Sequence, residues 1–248
     1  MSTIETQRKL EVCFTPALLP NYEIDGKIVV VIDVFRATTA IITGMQYGVK
    51  EIIPVKDIED AFEYKHRGFI TAAERKGEVV EGFDFGNSPF AFMDENLRGE
   101  TIVLTTTNCT TAMLQVKHAN KTFLGAFINI TAVAEQLNRE SDDVILLCAG
   151  WKNKFSIEDA LFAGALAERL LNKFNFTTDC DSTIAAHTIY LAAKTDIPAY
   201  LKQSSHRKRL GHLNLERDIE YCLKKDQATV VPQFDGYSIK LVEVEVVG

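Results

Sequence analysis

The chain is 248 residues long, carries a formal net charge of −7, and is 46% hydrophobic and 25% charged. That balance describes a folded chain long enough for one larger α/β unit, without a disordered tract. The acidic excess excludes a broad nucleic-acid footprint, which needs Lys and Arg spread over a face. Five cysteines (Cys13, Cys109, Cys148, Cys180 and Cys222) are widely spaced with no CxxC pair, so they read as reduced thiols of a cytoplasmic protein rather than a disulfide framework or zinc site. MSTIETQRKLEVCFTP lacks the apolar stretch of a signal peptide, and no window approaches ~18 uninterrupted apolar residues, so neither secretion nor a membrane partner is expected.

Along the chain, apolar runs of strand length alternate with segments of helical period. IVVVID (28–33) is a β-branched run of the kind buried on both faces, and RATTAIITGMQYG after it has helical spacing up to Gly48. EIIPV with DIEDAFEYKHRG repeats the unit, and FITAAE supplies another strand. The connection RKGEVVEGFDFGNSPFAF holds Gly77, Gly82 and Gly86 with no sustained period, which marks an ordered loop of the type that carries function. TIVLT with TTAMLQVKHA, KTFLG with NITAVAEQLN, and DDVILLCAG with SIEDALFAGALAERLLNKF are further strand–helix pairs. Two helices follow, about 181–194 and 207–224, and then ATVVPQF and SIKLVEVEV, strands with no helix between them that form an antiparallel edge or hairpin. The pattern predicts a single domain over residues 1–248 with a three-layer α/β/α fold and a mixed, largely parallel central sheet.

In such folds ligands sit outside the carboxyl ends of the strands. Asp33, Arg36, Thr38 and Thr39 follow the first strand, and Glu74 and Arg75 end the strand FITAAE. Asp84, Asn87 and Ser88 lie in the glycine-containing loop; Thr106, Thr107, Asn108 and Thr110 follow TIVLT; Lys152, Ser156, Glu158 and Asp159 follow DDVILLCAG. Each has a plain structural role open to it: Asn129 reads as a helix cap, Ser156 with Asp159 as a capping box, and the basic run SHRKRLGH (205–212) as a solvated face or loop. Acids gathered on one edge, however, call for a divalent cation, and oxygen ligands without cysteine or paired histidine favour Mg²⁺. Arginines beside it would hold an oxyanion, and threonine hydroxyls with helix N-terminal amides would complete a phosphate cradle. The chain has no GxGxxG after its first strand, no GxxxxGK[ST] loop and no GxSxG elbow.

VVVIDVFRATTAI, AAERKGEVVEGFDFGNSP, VLTTTNCT, GAFINITAVA and LCAGWKNKFSIEDALFAGAL resemble, in order and spacing, the 2-phosphosulfolactate phosphatase family, over nearly the whole chain from Ile28. The resemblance implies an α/β/α, Mg²⁺-dependent phosphatase that hydrolyses 2-phospho-3-sulfolactate to 3-sulfolactate and phosphate, a step of coenzyme M synthesis in methanogens. Asp33, Arg36, Glu74, Arg75, Asp84, Asn87, Thr105 to Asn108, Glu158 and Asp159 match its signatures. Ala73 and Cys109 stand where the family commonly has glycine.

On chemical grounds, Asp33, Glu74, Asp84 and Asp159 are the expected metal ligands, and Asp33, Glu74 and Glu158 the expected catalytic acids, with Asp33 or Glu158 as nucleophile or base. Arg36, Arg75, Asn87, Thr106, Thr107 and Asn108 are the expected substrate-binding residues. The partner is a small anionic phosphoester, with a homodimer as the base-rate assembly. Two alternatives stand beside this reading: a phosphatase for a different small phosphoester, and a non-catalytic organic-anion-binding or sensor protein on the same scaffold.

Overall fold

In a computed structural model, residues 7–242 are described. The strands are β1 (Arg8–Cys13), β2 (Ile28–Ile32), β3 (Glu51–Pro54), β4 (Ile70–Arg75), β5 (Glu78–Val79), β6 (Thr101–Thr105), β7 (Lys121–Gly125), β8 (Val144–Cys148), β9 (Phe176–Thr177), β10 (Pro232–Phe234) and β11 (Ile239–Leu241). The helices are α1 (Ala37–Gln46), α2 (Ile58–His66), α3 (Cys109–Gln115), α4 (Ile130–Arg139), α5 (Ile157–Lys173), α6 (Asp181–Ala193), α7 (Ile197–Tyr200), α8 (Ser205–His212) and α9 (Glu216–Cys222). None of the helices among the described residues is long and apolar enough to cross a membrane.

One mixed sheet runs β5-β4-β6-β3-β11-β10-β7-β2-β8-β1-β9. β2 shows why: all five of its β-branched residues are fully buried, because both faces are covered. Ile28, Val30 and Ile32 enter a core with α4, α5 and α6, while Val29 and Val31 enter another with α1 and α3. The period-2 alternation of one strand thus divides the two helical layers. This is the expected three-layer α/β/α arrangement.

The ending differs from expectation in place. β10 and β11 form the anticipated hairpin, but it sits inside the sheet, with β10 antiparallel to β7 and β11 antiparallel to β3. The parallel block β4-β6-β3 is therefore reversed relative to β7-β2-β8-β1-β9. Sheet twist of ~20–25° per neighbouring pair, accumulated over the steps from β2 to β6, turns the reversed block so that its strand ends can meet those of β2. The last residues of SIKLVEVEV, 243–248, lie outside the described residues.

One strand was not foreseen and three local expectations are revised. RKLEVC forms β1, a strand its single apolar alternation did not reveal, and the helix expected over 207–224 breaks into α8 and α9 at Asn214, which has φ of 57°. Asn129 does not cap α4; its Oδ1 accepts from the Ala126 amide while its Nδ2 donates to the Leu124 and Val230 carbonyls, tying β7 to the segment before β10. Asp159 likewise turns away from the α5 N-terminus, so the expected capping box with Ser156 does not form.

α5 and α6 approach so closely that a Cβ on Gly164 would lie 2.1 Å from the Ala186 carbonyl oxygen. Backbone cannot yield as a side-chain tip can, so Gly164→Ala is expected to destabilise the fold by ~2–3 kcal/mol in urea denaturation, the upper part of the overpacking range.

Candidate functional site

The loops after β2, β4, β6 and β8 and the helix α8 enclose a cavity of about 280 Å³. Asp33 comes from the β2–α1 loop, which its threonines knit together. Thr38 donates its amide and hydroxyl to the Asp33 carbonyl at 3.0 and 2.8 Å and accepts from the Asp33 amide at 3.1 Å; the Thr39 hydroxyl donates to the Val34 carbonyl. Glu74, near the end of β4, accepts from the Gly77 amide at 2.5 Å and from the Thr107 amide and hydroxyl at 3.3 and 3.2 Å. Asn108 Oδ1 accepts from the Lys152 amide at 2.9 Å, binding the β6 loop to the β8 loop.

Of the residues expected from sequence, Asp33, Arg36, Glu74, Asn87, Thr107 and Asn108 line this cavity. Arg36 is buried, with Nη1 donating to Asp218 at 2.6 Å and Nη2 to the Gly77 carbonyl at 2.6 Å; Ser88 donates to the other Asp218 oxygen. The remaining expected residues are placed elsewhere. Asp84 accepts from Lys65 at 2.6 Å and from the Thr71 amide and hydroxyl, an arrangement that holds its carboxyl below the usual value and anchors the loop after β5. The Arg75 guanidinium donates to the Glu74 and Lys56 carbonyls and to Thr105, and Thr106 Oγ1 accepts from the Thr110 amide within the turn into α3. Asp159 accepts from the Val34 and Gly150 amides at 2.9 and 3.1 Å. Gly150 has φ of 63° there, and a Cβ would meet the Lys154 carbonyl oxygen at 2.4 Å, so only glycine makes this turn.

Glu158 stands behind the cavity, fully buried at the start of α5. It accepts from His206 Nδ1 at 2.6 Å and from Ser204 at 3.3 Å. His206, Arg209 and Leu210 reach the cavity from α8, at i, i+3 and i+4 on one helix face. The basic run SHRKRLGH is thus part of the cavity wall rather than a solvated face. Its helical spacing of His206, Arg209 and Leu210 was the signal in the sequence. Lys152, which follows β8 as read from the sequence, also lines the cavity, as do Trp151, Lys76 and Phe35, which were not expected there.

Burial pushes the Asp33 carboxyl up to about 7; the Glu74 and Glu158 charges push the same way, against the pull of His206 and the Ala37 amide. Burial and the neighbouring Asp33 and Glu158 charges also raise Asp159, despite its two amide donors. For Glu158 burial acts upward too, but the hydrogen bond and charge of His206 win, and its carboxyl is held below the ordinary value. Cys109, at the N-terminus of α3, is fully buried, and desolvation with the Asp33 and Asp159 charges keeps its thiol protonated. It packs in the core shared by α1 and α3.

Among the described residues no three His, Cys, Asp or Glu side chains converge in a ready-made metal cage. Mg²⁺ asks less of a protein: it commonly takes one or two carboxylates and fills its shell with waters and substrate oxygens. Asp33 and Glu74 present two carboxylates to one cavity, the buried Asn87 Oδ1 beside them has no hydrogen-bond partner, and the raised Asp33 carboxyl marks negative charge left uncompensated. That all-oxygen set fits Mg²⁺.

Residues 13–236 match the sequence profile of the 2-phosphosulpholactate phosphatases. The chain belongs to this family. A protein of Caldanaerobacter subterraneus subsp. tengcongensis named probable 2-phosphosulfolactate phosphatase is 37% identical over 85% of this chain and 89% of its own. Proteins of the same name from Thermotoga maritima and Clostridium beijerinckii are 39% and 34% identical, over 87% and 92% of this chain and 92% and 98% of theirs. The family places the chain among the phosphoric monoester hydrolases, and an oxygen-lined cavity with cations on its wall is consistent with that class.

Two outcomes follow from the charges. Asp33 titrates near 7 in the folded chain and about 3.9 when unfolded, so its contribution to stability is full below the unfolded value and is lost as pH rises through 7. In chelator at pH 8, Asp33→Asn is therefore expected to melt several degrees above the unsubstituted chain, for a gain of ~2–4 kcal/mol. The gain shrinks toward pH 5, and equal melting temperatures at pH 8 would count against an uncompensated charge. Asp218→Ala, which leaves the Arg36 guanidinium buried and unpaired, should cost about 3–5 kcal/mol in denaturant unfolding.

Proposed function

We propose that the protein is a Mg²⁺-dependent phosphomonoesterase of small 2-phospho acids, with 2-phospho-3-sulfolactate as its substrate. The observation that carries this is the sharing of one small cavity by Asp33 and Glu74 with Arg36, Lys152, Arg209 and His206. Acids without cations would repel a phosphate ester, and cations without acids would bind it and leave it intact.

Asp33, Glu74 and the Asn87 carbonyl would hold the cation. When bound, Mg²⁺ would neutralise phosphoryl oxygens and stabilise the leaving oxygen. The Arg36 N–H groups not committed to Asp218 and Gly77, with the Thr107 and Asn108 side chains, orient the phosphoryl group. Asp33 serves as base toward the attacking water or as nucleophile; the residue two positions on is Phe35 rather than a second acid, which favours water attack over a phosphoaspartyl intermediate. The bond from phosphorus to the ester oxygen breaks as the new phosphorus–oxygen bond forms, and the departing alkoxide requires a proton. His206 can supply it: Glu158 fixes Nδ1, while Nε2 has no hydrogen-bond partner among the described residues.

Phosphate release should be measured from phosphosulfolactate, phospholactate and phosphoglycerate, each with Mg²⁺ and with chelator. Turnover is expected with Mg²⁺ alone, and Asp33→Asn should lower kcat by on the order of 10²–10⁴. Unchanged turnover in Asp33→Asn, or saturable binding of all three compounds without phosphate release, would overturn the reading.

A further inference from the structure

Among the Arg and Lys side chains that line the cavity, only Arg36 faces an acid. Lys76, Lys152 and Arg209 have no carboxylate partner among the described residues. The Arg209 guanidinium instead lies 3.9 Å from the centroid of the Trp151 ring, and Lys152 Nζ lies 4.9 Å from the same centroid. Stacking on an indole holds a guanidinium in place while its in-plane N–H fork stays available for a carboxylate or sulfonate. Glu158, the acid whose charge reaches Arg209, is already engaged by His206 and Ser204. The cavity therefore carries more cationic capacity than its own acids use, gathered around Trp151.

A doubly anionic phospho acid needs two sets of counter-charges. Arg75, the second arginine expected from the sequence to hold an anion, is occupied by the Glu74 and Lys56 carbonyls and Thr105, and Arg36 is neutralised by Asp218. Resting on the phosphomonoesterase reading, we propose that Arg209, stacked on Trp151 and flanked by Lys152 and Lys76, forms the subsite for the substrate's second acid group. This subsite sets the preference for 2-phospho acids bearing a sulfonate or carboxylate over simple phosphate monoesters.

The test compares phosphosulfolactate with isopropyl phosphate, a secondary phosphate ester that lacks the second acid, and measures 3-sulfolactate binding by calorimetry. Arg209→Gln is expected to lower the ratio of the two kcat/KM values by roughly 10- to 100-fold, the range for losing a charge-assisted hydrogen bond, and to weaken sulfolactate by a similar factor. Arg209→Lys keeps part of the ratio. Trp151→Leu, which frees the guanidinium without removing its charge, lowers it in the same direction. An unchanged ratio in Arg209→Gln, or sulfolactate bound as tightly as before, overturns the proposal. If the unsubstituted chain hydrolyses neither ester yet binds sulfolactate through Arg209, the phosphatase reading fails and the anion subsite stands; if it does neither, both fail.

Discussion

Buried negative charge at the ends of the strands is the constraint around which this structure is arranged. Asp33, Glu74, Glu158 and Asp159 are all less than a tenth exposed. A lone buried carboxylate would cost several kcal/mol, so each must find donors or give up its charge. Asp159 takes two backbone amides, Glu158 takes His206 and Ser204, and Glu74 takes Gly77 and Thr107. These partners lie on different loops and helices. Satisfying the acids therefore staples the β2 and β8 loops to α8 through α5, and the β4 loop to the β6 loop, while the Asn108–Lys152 bond joins the two sets. Asp33 and Asp159 are the acids left with raised carboxyls, and of the two it is Asp33, helped by the charge of His206 and the Ala37 amide, that lines the cavity. A structure optimised for stability alone would neutralise it, and leaving it anionic makes sense where a cation completes the site.

The second half of the enclosure is supplied late in the chain. α8 and α9 follow the last long helix of the sheet layers, and side chains of α8 close the cavity that the strand loops leave open. Asp218 of α9 pins Arg36 and is itself pinned by Ser88, so the β2 loop, the loop before β6 and the final helices are tied at one point. The β10–β11 hairpin then returns the chain into the middle of the sheet. By separating the two parallel blocks, it sets their opposed polarity.

The parts of the site legible in the sequence were those fixed by local position. Asp33, Arg36, Glu74, Thr107 and Asn108 follow strands whose β-branched or apolar runs could be read directly, and strand carboxyl ends are where such folds bind ligands. Position could not say where a side chain finds its nearest donor. Asp84 stands in the matching loop but is captured by Lys65 and Thr71, Arg75 is turned back on the β4 and β3 loops, and Thr106 serves its own helix. Arg209, His206 and Trp151 were hidden for the opposite reason. They reach the cavity because α8 packs against the loop after β8 and the start of α5, far away in the chain, and a basic run on a short helix reads alone as solvated. The reversal of the β4-β6-β3 block was equally invisible, because it depends on β11 pairing with β3 across most of the chain.

Depth explains how a chain with a net charge of −7 can hold a multiply charged anion. Global charge repels such a ligand, but at close range the local field decides, since potentials of exposed charges are screened within a Debye length. The cations are graded by burial. Lys76 and Lys152 are exposed, Arg209 is intermediate and Arg36 is buried. At the rim a lysine can be left without a partner, because water solvates it and the desolvation penalty is small. At the floor the same omission would be prohibitive, and there Arg36 has Asp218. Pairing in this cavity therefore follows burial: the inner cation is anchored by Asp218, and the outer ones are left without a carboxylate partner among the described residues.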